Sequence, residues 1–509
     1  MRSFILFFLI TYLVSKLWSQ LPDPNIHPMY SFLDYPFFHG VAAGDSRSDG
    51  FILWTKLSPK QETDSIKVFY FISLLDKKYI VKQGVVFAHK ENDFVIKLNV
   101  SGLKPFTKYL YWFKVCSQKG LGFKPGECKI SDIGKAKTTP NLCMEVKKLS
   151  FVVFTGSNYN AGYFNAYCAA AKDTTVDFVI HTGDYIYEYG TNVFGKNSTR
   201  SLIPNHELIT FNDYNTRYWL YRMDTCLKNT HKAFAWYTIW DDHEVANDAW
   251  KVGADNHQPS EGNYFLRRQN AFRAYYQWIP IKETEDTSIF RVVKMGNLVR
   301  LILLDTRHFA RDYQKMDPWD SSKTMLGQEQ LNWFFQELIR AQKDSVKWIL
   351  VAQQLLFAPL IFFNDTINRD GWDMYPLERE KILRFLYENN LKNVVFLGGD
   401  FHTSWANELY LNAYKFHSRH KDTMVSMEFI TPSITSPAAN GFITMIVRGV
   451  SKLIRKKTYI RYVDLHHKGY MKVIVLPEKL IIQWINVRTI KKPDNKSYLA
   501  KTYIYTLKQ

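Results

Sequence analysis

The chain has 509 residues, of which 46% are hydrophobic and 22% charged. This composition excludes an intrinsically disordered polymer, which lacks the apolar surface needed to offset the entropy of ordering. Lys and Arg together number 66 and Asp and Glu 48, so the formal charge is +18. Such a charge favours phosphates, acidic polymers or anionic membranes as partners, but it does not determine the fold.

The N-terminus has the pattern of a secretory signal peptide. Arg2 precedes an apolar run from Phe4 to Val14, and Ser19 supplies a small residue for cleavage. The run is shorter than the roughly 20 apolar residues of a membrane-spanning helix. Residues 1–19 are therefore predicted to be a signal peptide, with an anchoring helix as the alternative, and no later membrane segment is expected. The Asn-x-Ser/Thr acceptors that a secreted glycoprotein would carry are Asn99, Asn197, Asn364 and Asn495.

None of the five cysteines shows the Cys-x-x-Cys spacing of a structural zinc site. In an oxidising compartment Cys116 and Cys128 could close a short loop, and the odd total leaves at least one thiol unpaired.

Residues 36–140 are predicted to form a small all-β sandwich domain. Runs rich in β-branched and aromatic residues alternate there with turn residues. Lys135–Asn141 reads as the exit linker. The predicted strands are Phe51–Leu57, Ile66–Ile72, Phe94–Leu98 and Tyr109–Val115.

Residues 147–509 are predicted to form an α/β catalytic domain with a C-terminal β extension. Short apolar runs alternate here with long amphipathic stretches, which is typical of α/β layers. The predicted helices are Tyr163–Lys172, Asn212–Met223, Arg267–Trp278, Gly327–Lys343 and Pro376–Glu388.

Polar side chains follow the apolar runs where predicted strands end. Asp184 follows one run, Asp242 and His243 a second, and Asp400 and His402 a third. Ligand sites of α/β sheets gather beyond the carboxyl ends of their strands. Clustered carboxylates repel one another unless positive charge is supplied, and metal ions supply it. The oxygen-rich set suits Ca²⁺, Mg²⁺, Mn²⁺ or Fe³⁺, which can hold a phosphoryl group and activate a water.

Three segments in this order resemble the PhoD family of alkaline phosphatases and phosphodiesterases, within the metallophosphatases. They are Gly183–Glu188, Trp240–Asn247 and Gly399–His402, with weaker matches along almost the whole mature chain. The resemblance implies a four-layered α/β/β/α sandwich preceded by a small N-terminal all-β sandwich domain. It also implies a secreted phosphoric ester hydrolase that uses a metal-activated water.

The resemblance further implies the role of individual residues. His243 would protonate the leaving oxygen, or alternatively orient a metal ligand. Arg217 and Asn158 would contact the substrate. The metal ligands or their close neighbours would be Asp184, Tyr187, Asp242, Asn247, Asp400 and His402.

One position departs from the family pattern. The family carries a cysteine that ligates iron after the first catalytic strand, and Gly156 stands at that position here. The resembled family uses calcium with iron. Without the thiolate, Mg, Mn or Zn could replace iron, or Ser157 or water could complete its ligands.

The sequence therefore predicts a secreted, monomeric hydrolase of small phosphate mono- or diesters, with two or more metal ions. One alternative is a catalytically silent phosphate- or glycan-binding protein on the same fold, which Gly156 favours. Another is a binder of acidic polymers or membrane surfaces that uses the +18 charge and depends on salt. No motif for specific nucleic-acid recognition is present.

Overall fold

The computed structural model describes residues 34–191, 200–284, 288–362, 365–366, 368–411, 424–438 and 459–507. The predicted signal peptide, residues 1–19, and the acceptors Asn197 and Asn364 lie outside the described residues. Asn99 and Asn495 are exposed. Within these ranges no helix has the length and apolar character needed to cross a membrane.

A nine-stranded sheet forms the larger half of the fold, with strands numbered here in chain order. Three neighbouring strands, β9, β10 and β11, run parallel and are buried along their whole length. In spatial order the strands are β25 (Ser497–Thr506), β24 (Lys479–Val487), β23 (Gly469–Leu476), β9 (Leu149–Phe154), β10 (Phe178–His181), β11 (Ala235–Thr238), β1 (Val41–Arg47), β2 (Gly50–Lys56) and β5 (Val95–Val100).

A seven-stranded sheet forms the other half. Its strands β15, β16, β19 and β21 run parallel, so their carboxyl ends lie at one edge. In spatial order the strands are β14 (Arg291–Met295), β15 (Val299–Leu303), β16 (Trp348–Ala352), β19 (Val394–Gly398), β21 (Met424–Ile430), β20 (Ser404–Tyr410) and β22 (Ile460–Asp464).

The remaining strands form a five-stranded antiparallel sheet and two small ribbons. The five-stranded sheet contains β4 (Ile80–His89), β3 (Ser65–Ser73), β6 (Lys108–Cys116), β7 (Cys128–Ile130) and β8 (Gly134–Lys137), with β7 and β8 both paired to β6. The ribbons are β12 (Ala249–Trp250) with β13 (Gly253–Ala254), and β17 (Ile361–Phe362) with β18 (Asp365–Thr366).

The N-terminal strands are divided between two sheets. β1 pairs in parallel with β11, so β1, β2 and β5 extend the nine-stranded sheet instead of completing a separate sandwich with β3 and β6. The physical reason lies in β2, whose seven residues are all buried and therefore need cover on both faces. The predicted domain boundary near residue 140 therefore does not divide one sheet from another, because strands from before and after it pair in the same sheet. The domain limits stay a prediction.

Six α-helices flank the large sheets in the described part of the chain. Five overlap the predicted helices, and α3, which has only nine residues, was not predicted. The helices are α1 (Asn165–Ala171), α2 (Phe211–Arg222), α3 (Thr225–Ala233), α4 (Tyr264–Trp278), α5 (Gly327–Lys343) and α6 (Pro376–Glu388). Short 3₁₀ turns occur at Lys90–Asn92, Pro259–Glu261 and Trp372–Met374.

The hydrophobic core joins the two large sheets. Phe151 of β9 belongs to the same buried cluster as Leu301 of β15 and Leu350 of β16. On the other face of the seven-stranded sheet, Ile349 packs in a second cluster with Phe334 of α5 and other helix residues. The fold is therefore a mixed α/β structure in which sheet packs on sheet and helices cover an outer face. The complete four-layer order stays a prediction.

Two disulfides link separate segments. Cys116 pairs with Cys128, as the sequence allowed, and Cys168 of α1 pairs with Cys226 of α3, which was not predicted. Cys143 is free and exposed.

Candidate metal centre

The carboxyl ends of parallel strands from both large sheets meet at one site. Asp184 follows β10, Asp242 follows β11 and Asp400 follows β19. The contact between the two sheets is direct, because Arg307, which follows β15, donates to Asp241 on the opposite sheet over 2.5 Å. The convergence of strand ends that the sequence analysis expected is thus the arrangement that the structure shows.

One side of the site is a compact hydrogen-bonded group around Tyr187. Its hydroxyl donates to Asp184 Oδ2 over 2.8 Å and lies 3.0 Å from His402 Nε2. His402 Nε2 lies 3.0 Å from the same carboxylate oxygen. Ser436 Oγ also bonds the Tyr187 oxygen, so four side chains from three segments converge on one point. Burial and the neighbouring Asp184 raise the pKa of Tyr187 well above its usual range, so the phenol is protonated here.

The other side is a set of carboxylates bridged by Arg307. Besides Asp241, its guanidinium donates to Asp370 over 2.5 Å and to Asp400 over 2.9 Å, and it lies 3.5 Å from Asp242. Arg307 is fully buried, so its charge is poorly screened by water. One cation thus contacts carboxylates from three loops.

His243 is held at the rim of the site by a buried acid. Its Nδ1 lies 2.8 Å from Glu188 Oε2, and its ring packs against the Tyr187 ring with centroids 4.2 Å apart. Burial lowers the pKa of His243, but the charges of Glu188, Asp242 and Asp184 outweigh it and raise that pKa well above its usual range. These charges favour the protonated imidazole, which is the form that can donate a proton to a nearby oxygen.

Burial of so many acids shifts their protonation strongly. The pKa of Asp400 is raised to about 8, first by burial and then by neighbouring carboxylates that Arg307 only partly offsets. Burial together with Asp184 raises the pKa of Glu244 to about 8. Asp242 differs from these two acids, because Arg307 and His243 outweigh its burial and lower its pKa. The surroundings therefore shift the pKa values of neighbouring carboxyls in opposite directions within one site.

Several residues of the site occupy the left-handed backbone region that side chains other than glycine rarely adopt. Asp184 has φ of 57°, Asp248 of 55°, Asp400 of 52° and His402 of 57°. Such conformations cost about 1–3 kcal/mol each and cluster at functional sites. Glu244 supports the Asp184 turn by accepting the backbone N–H of Asp184 over 3.1 Å.

The residues present fit bound metal ions. Three groups each bring ligand atoms within 4.8 Å of one another, and Asp242 belongs to all of them: Asp184, Asp242 and His243; Asp241, Asp242 and Asp400; Asp242, Asp248 and Asp370. Asp184 Oδ1 and Asp242 Oδ1 are buried without a hydrogen-bond donor. A buried carboxylate oxygen without a donor is costly, and a cation at that point would remove the cost. The donor set is carboxylate, phenol and imidazole, which suits hard or borderline cations.

The space that a side chain at position 156 would need is filled by neighbouring residues. Gly156 has φ of 66°, and an added Cβ would lie 2.7 Å from the Ser433 Cβ and 2.8 Å from the His402 Cδ2. The hydroxyl of Ser157 bonds the Tyr167 hydroxyl over 2.6 Å, so this serine is directed to the core. A thiolate is therefore absent and its place is taken by the packed Ser433 and His402 side chains.

The two predicted substrate contacts are both buried and bond to the backbone of neighbouring loops. Arg217 is fully buried and donates only to backbone carbonyls among the contacts that the structure gives, including those of Tyr187, Tyr189 and Pro204. Asn158 is also buried, and its Oδ1 accepts the Ala161 N–H over 3.2 Å. Asn247, a predicted ligand, lies beside the site with its backbone N–H on Glu188 Oε1 at 2.8 Å.

Sequence reasoning assigned no role to the groups that hold these ligands in place. Glu188 and Glu244 stood in the quoted segments Gly183–Glu188 and Trp240–Asn247, and their adjacency to predicted ligands was the available signal. Arg307 follows strand β15, which is the same kind of strand-end position as that of the predicted ligands. Asp370 had no such signal, because it lies in a loop between β18 and α6. It contacts Arg307 and Arg311, the latter donating to it over 2.6 Å, and it belongs to a metal-binding group with Asp242 and Asp248.

Comparison with known proteins agrees with this geometry. A family model described as PhoD-like phosphatase matches residues 151–484, and a model of that family's N-terminal domain matches residues 25–140. The chain belongs to the PhoD-like phosphatase family. Alkaline phosphatase D of Bacillus subtilis (strain 168) is 31% identical over 499 residues, which cover 93% of this chain and 82% of that protein.

Within the PhoD-like family a solved structure, described as the structure of PhoD, has a TM-score of 0.81 to this fold. It is 30% identical, and the match covers 94% of this chain and 91% of that one. Family membership supports a phosphatase that uses metal ions, which agrees with the metal-binding groups of the site.

Proposed function

We propose that this protein is a secreted, metal-dependent phosphoric ester hydrolase that cleaves small phosphate mono- and diesters. The observation that carries the proposal is a set of three clusters of carboxylate and histidine side chains, each of which contains Asp242. Within these clusters, Asp184 and Asp242 each have a buried oxygen without a hydrogen-bond donor. Asp184, Tyr187 and His402 would hold one ion, and Asp242, Asp400 and Asn247 the other. Bound there, metal ions would offset phosphoryl charge and acidify a water.

The residues of the chain then supply orientation and a proton. Attack by the water, which releases one proton to solvent, forms a new oxygen–phosphorus bond and breaks the bond to the leaving oxygen. Protonated His243, fixed by Glu188 over 2.8 Å, donates its proton to that leaving oxygen. Arg307 holds Asp241 and Asp400 in place across the sheet boundary and keeps positive charge beside the developing phosphoryl charge. We propose that Arg217 acts on the substrate only indirectly, by fixing the Tyr187 and Tyr189 loop.

Two features support secretion. The apolar N-terminal run has the pattern of a cleaved signal peptide. Cys116–Cys128 and Cys168–Cys226 are both paired, and disulfides persist mainly in oxidising compartments.

A second function, a silent phosphate-binding protein, is favoured by Gly156. A Cβ added at Gly156 would lie 2.7 Å from the Ser433 Cβ and 2.8 Å from the His402 Cδ2, which leaves no room for a thiolate ligand at this position. Such a protein would retain phosphate binding while losing turnover.

The test is hydrolysis of a chromogenic phosphodiester and a chromogenic phosphomonoester by the full chain, after chelation and after adding back single metals. Calcium, magnesium, manganese, zinc and iron are added separately. We expect activity to disappear with chelation and to return with one or two of these ions. The ratio of diester to monoester turnover then defines the substrate class.

Asp242→Ala serves as the blank, because Asp242 belongs to all three metal-binding groups. Asp76→Ala, in an exposed turn, is the matched control and should hydrolyse both esters as the wild type does. Absence of turnover with every metal, together with a rise in melting temperature on adding phosphate, would favour the binding protein instead.

A further inference from the structure

The outward face of the five-stranded sheet is apolar and aromatic. Phe71 of β3 pairs with Trp112 of β6, and their rings stack with centroids 5.4 Å apart at 12° between planes. Phe69 lies two residues along β3 on the same face, opposite Lys114. All three rings are only partly buried.

The strands beside β3 and β6 continue this face. Val85 of edge strand β4 lies opposite Phe69 and is 44% exposed, and Phe87 lies opposite Lys67 and is 53% exposed. Ile130 of β7 lies opposite Lys114 and is 58% exposed. The apolar surface therefore crosses four strands instead of occurring as isolated side chains.

The inward face of the same sheet is already occupied by the core. Val68, Ile72 and Phe113, which alternate with the outward residues, are fully buried in the main hydrophobic cluster. An antiparallel sheet with one face on the core normally presents polar residues to water on the other. A contiguous apolar patch on that second face marks an interaction surface.

The charge on this sheet has one sign. Strands β3, β4, β6, β7 and β8, all within the described part of the chain, contain seven lysines and neither Asp nor Glu. Lys67 and Lys114 lie on the outward face among the aromatic rings, and Lys108 and Lys135 are exposed at its end.

We propose that this outward face docks the protein on an anionic lipid surface. Aromatic and aliphatic side chains favour the boundary between headgroups and acyl chains, and lysines favour negative headgroups. The chemistry disfavours the other occupants. A second copy packed face to face would bring Lys67 and Lys114 against the same lysines, and a glycan would find few neutral hydrogen-bonding side chains besides Gln83.

This surface uses none of the residues of the metal centre. Docking would therefore determine where the enzyme is located and would leave its rate of ester hydrolysis unchanged. Because headgroup attraction is screened by salt, docking weakens as ionic strength rises.

The test is co-sedimentation of the full chain with vesicles of phosphatidylcholine alone and of equal parts phosphatidylcholine and phosphatidylglycerol. We expect binding to the anionic vesicles, little to the neutral ones, and release at high salt. The double variant Lys67→Glu with Lys114→Glu should bind the anionic vesicles more weakly than the wild type does, by at least about ten-fold. The matched control, Lys491→Glu with Lys492→Glu, changes the net charge equally at two exposed lysines elsewhere and should bind as the wild type does.

A second variant separates apolar docking from charge alone. Val85→Ser with Phe87→Ser keeps every lysine and should also weaken binding several-fold. Equal ester hydrolysis and equal melting temperatures confirm that the variants are folded. Wild-type protein that ignores anionic vesicles overturns the proposal, as does equal loss of binding in the control pair. A concentration-dependent dimer that the Lys67 and Lys114 changes abolish would overturn it in favour of self-association.

Discussion

The two sides of the metal centre are stabilised differently. Around Arg307 the contacts are between opposite charges, and one guanidinium meets Asp241, Asp370 and Asp400. Around Tyr187 the contacts are hydrogen bonds to Asp184, His402 and Ser436. Gly156, where the family pattern has a cysteine, adjoins only the second side.

This contrast shows how a site can lack a side chain at one position and keep its packing. The side chains of Ser433 and His402 fill the space at Gly156, so the change is accommodated by packing. The charged side has no corresponding glycine, and its carboxyls pair with Arg307. Each of the following experiments acts on one side or on the residue that both share.

Removing the shared ligand should have the largest effect. Asp184 bonds Tyr187 and also belongs to a metal-binding group with Asp242, so Asp184→Ala disrupts both sides. Asp400→Ala disrupts the charged side alone. We expect each to reduce ester hydrolysis on the order of a thousand-fold or more, measured at saturating metal. Far-ultraviolet circular dichroism should show a folded protein, and full activity in both variants would exclude this metal site.

His243 should affect the rate through the leaving group. His243→Gln removes the proton donor, and we expect a loss of about a hundred-fold or more for an alkyl phosphate ester with a basic leaving oxygen. A 4-nitrophenyl ester needs little protonation and should lose much less. Comparing the two esters in wild type and variant measures the difference. Equal losses for both esters would assign His243 to the orientation of ligands instead.

Restoring a cysteine should not restore the thiolate ligand. Gly156→Cys puts a Cβ at φ of 66° against Ser433 and His402, and we expect a destabilisation of about 1–3 kcal/mol. Gly156→Ala is the matched control and should cost a similar amount by chemical denaturation. Neither should change turnover more than several-fold. A stable Gly156→Cys variant that develops a visible thiolate–iron absorption band would show that the site still accepts the cysteine.

Arg217 should affect stability and leave substrate affinity unchanged. Its guanidinium donates to the carbonyls of Tyr187, Tyr189 and Pro204, so Arg217→Met leaves buried acceptors without donors and should destabilise by about 3 kcal/mol. Arg384→Met, at an exposed helix position, should cost less than about 1 kcal/mol. KM for both esters is the readout that distinguishes the roles. A large rise in KM with unchanged melting temperature would make Arg217 a substrate contact.

The sequence predicted the positions of ligands better than the means of holding them. Asp184, Asp242 and Asp400 follow apolar runs, and that local pattern is sufficient to place them at strand ends. The helix Gly327–Lys343 was predicted with the same bounds because its apolar residues recur at helical spacing. These features depend on neighbours in sequence.

Features that depend on distant segments were not predictable in this way. Asp370 reaches Arg307 across 63 residues, and Cys168 pairs with Cys226 across 58. The parallel pairing of β1 with β11 joins segments far apart in sequence and moves three N-terminal strands into the larger sheet. Neither composition nor periodicity indicates which distant segments will pair.

The four-way contact of Arg307 has a practical consequence for handling the protein. With an internal cation already set among Asp241, Asp242, Asp370 and Asp400, a centre stripped of metal would keep a counter-charge between its loops. Metal exchange should therefore be reversible under native conditions. A stripped preparation can be stored, divided and reloaded with different ions, so that several metal forms come from one batch without refolding.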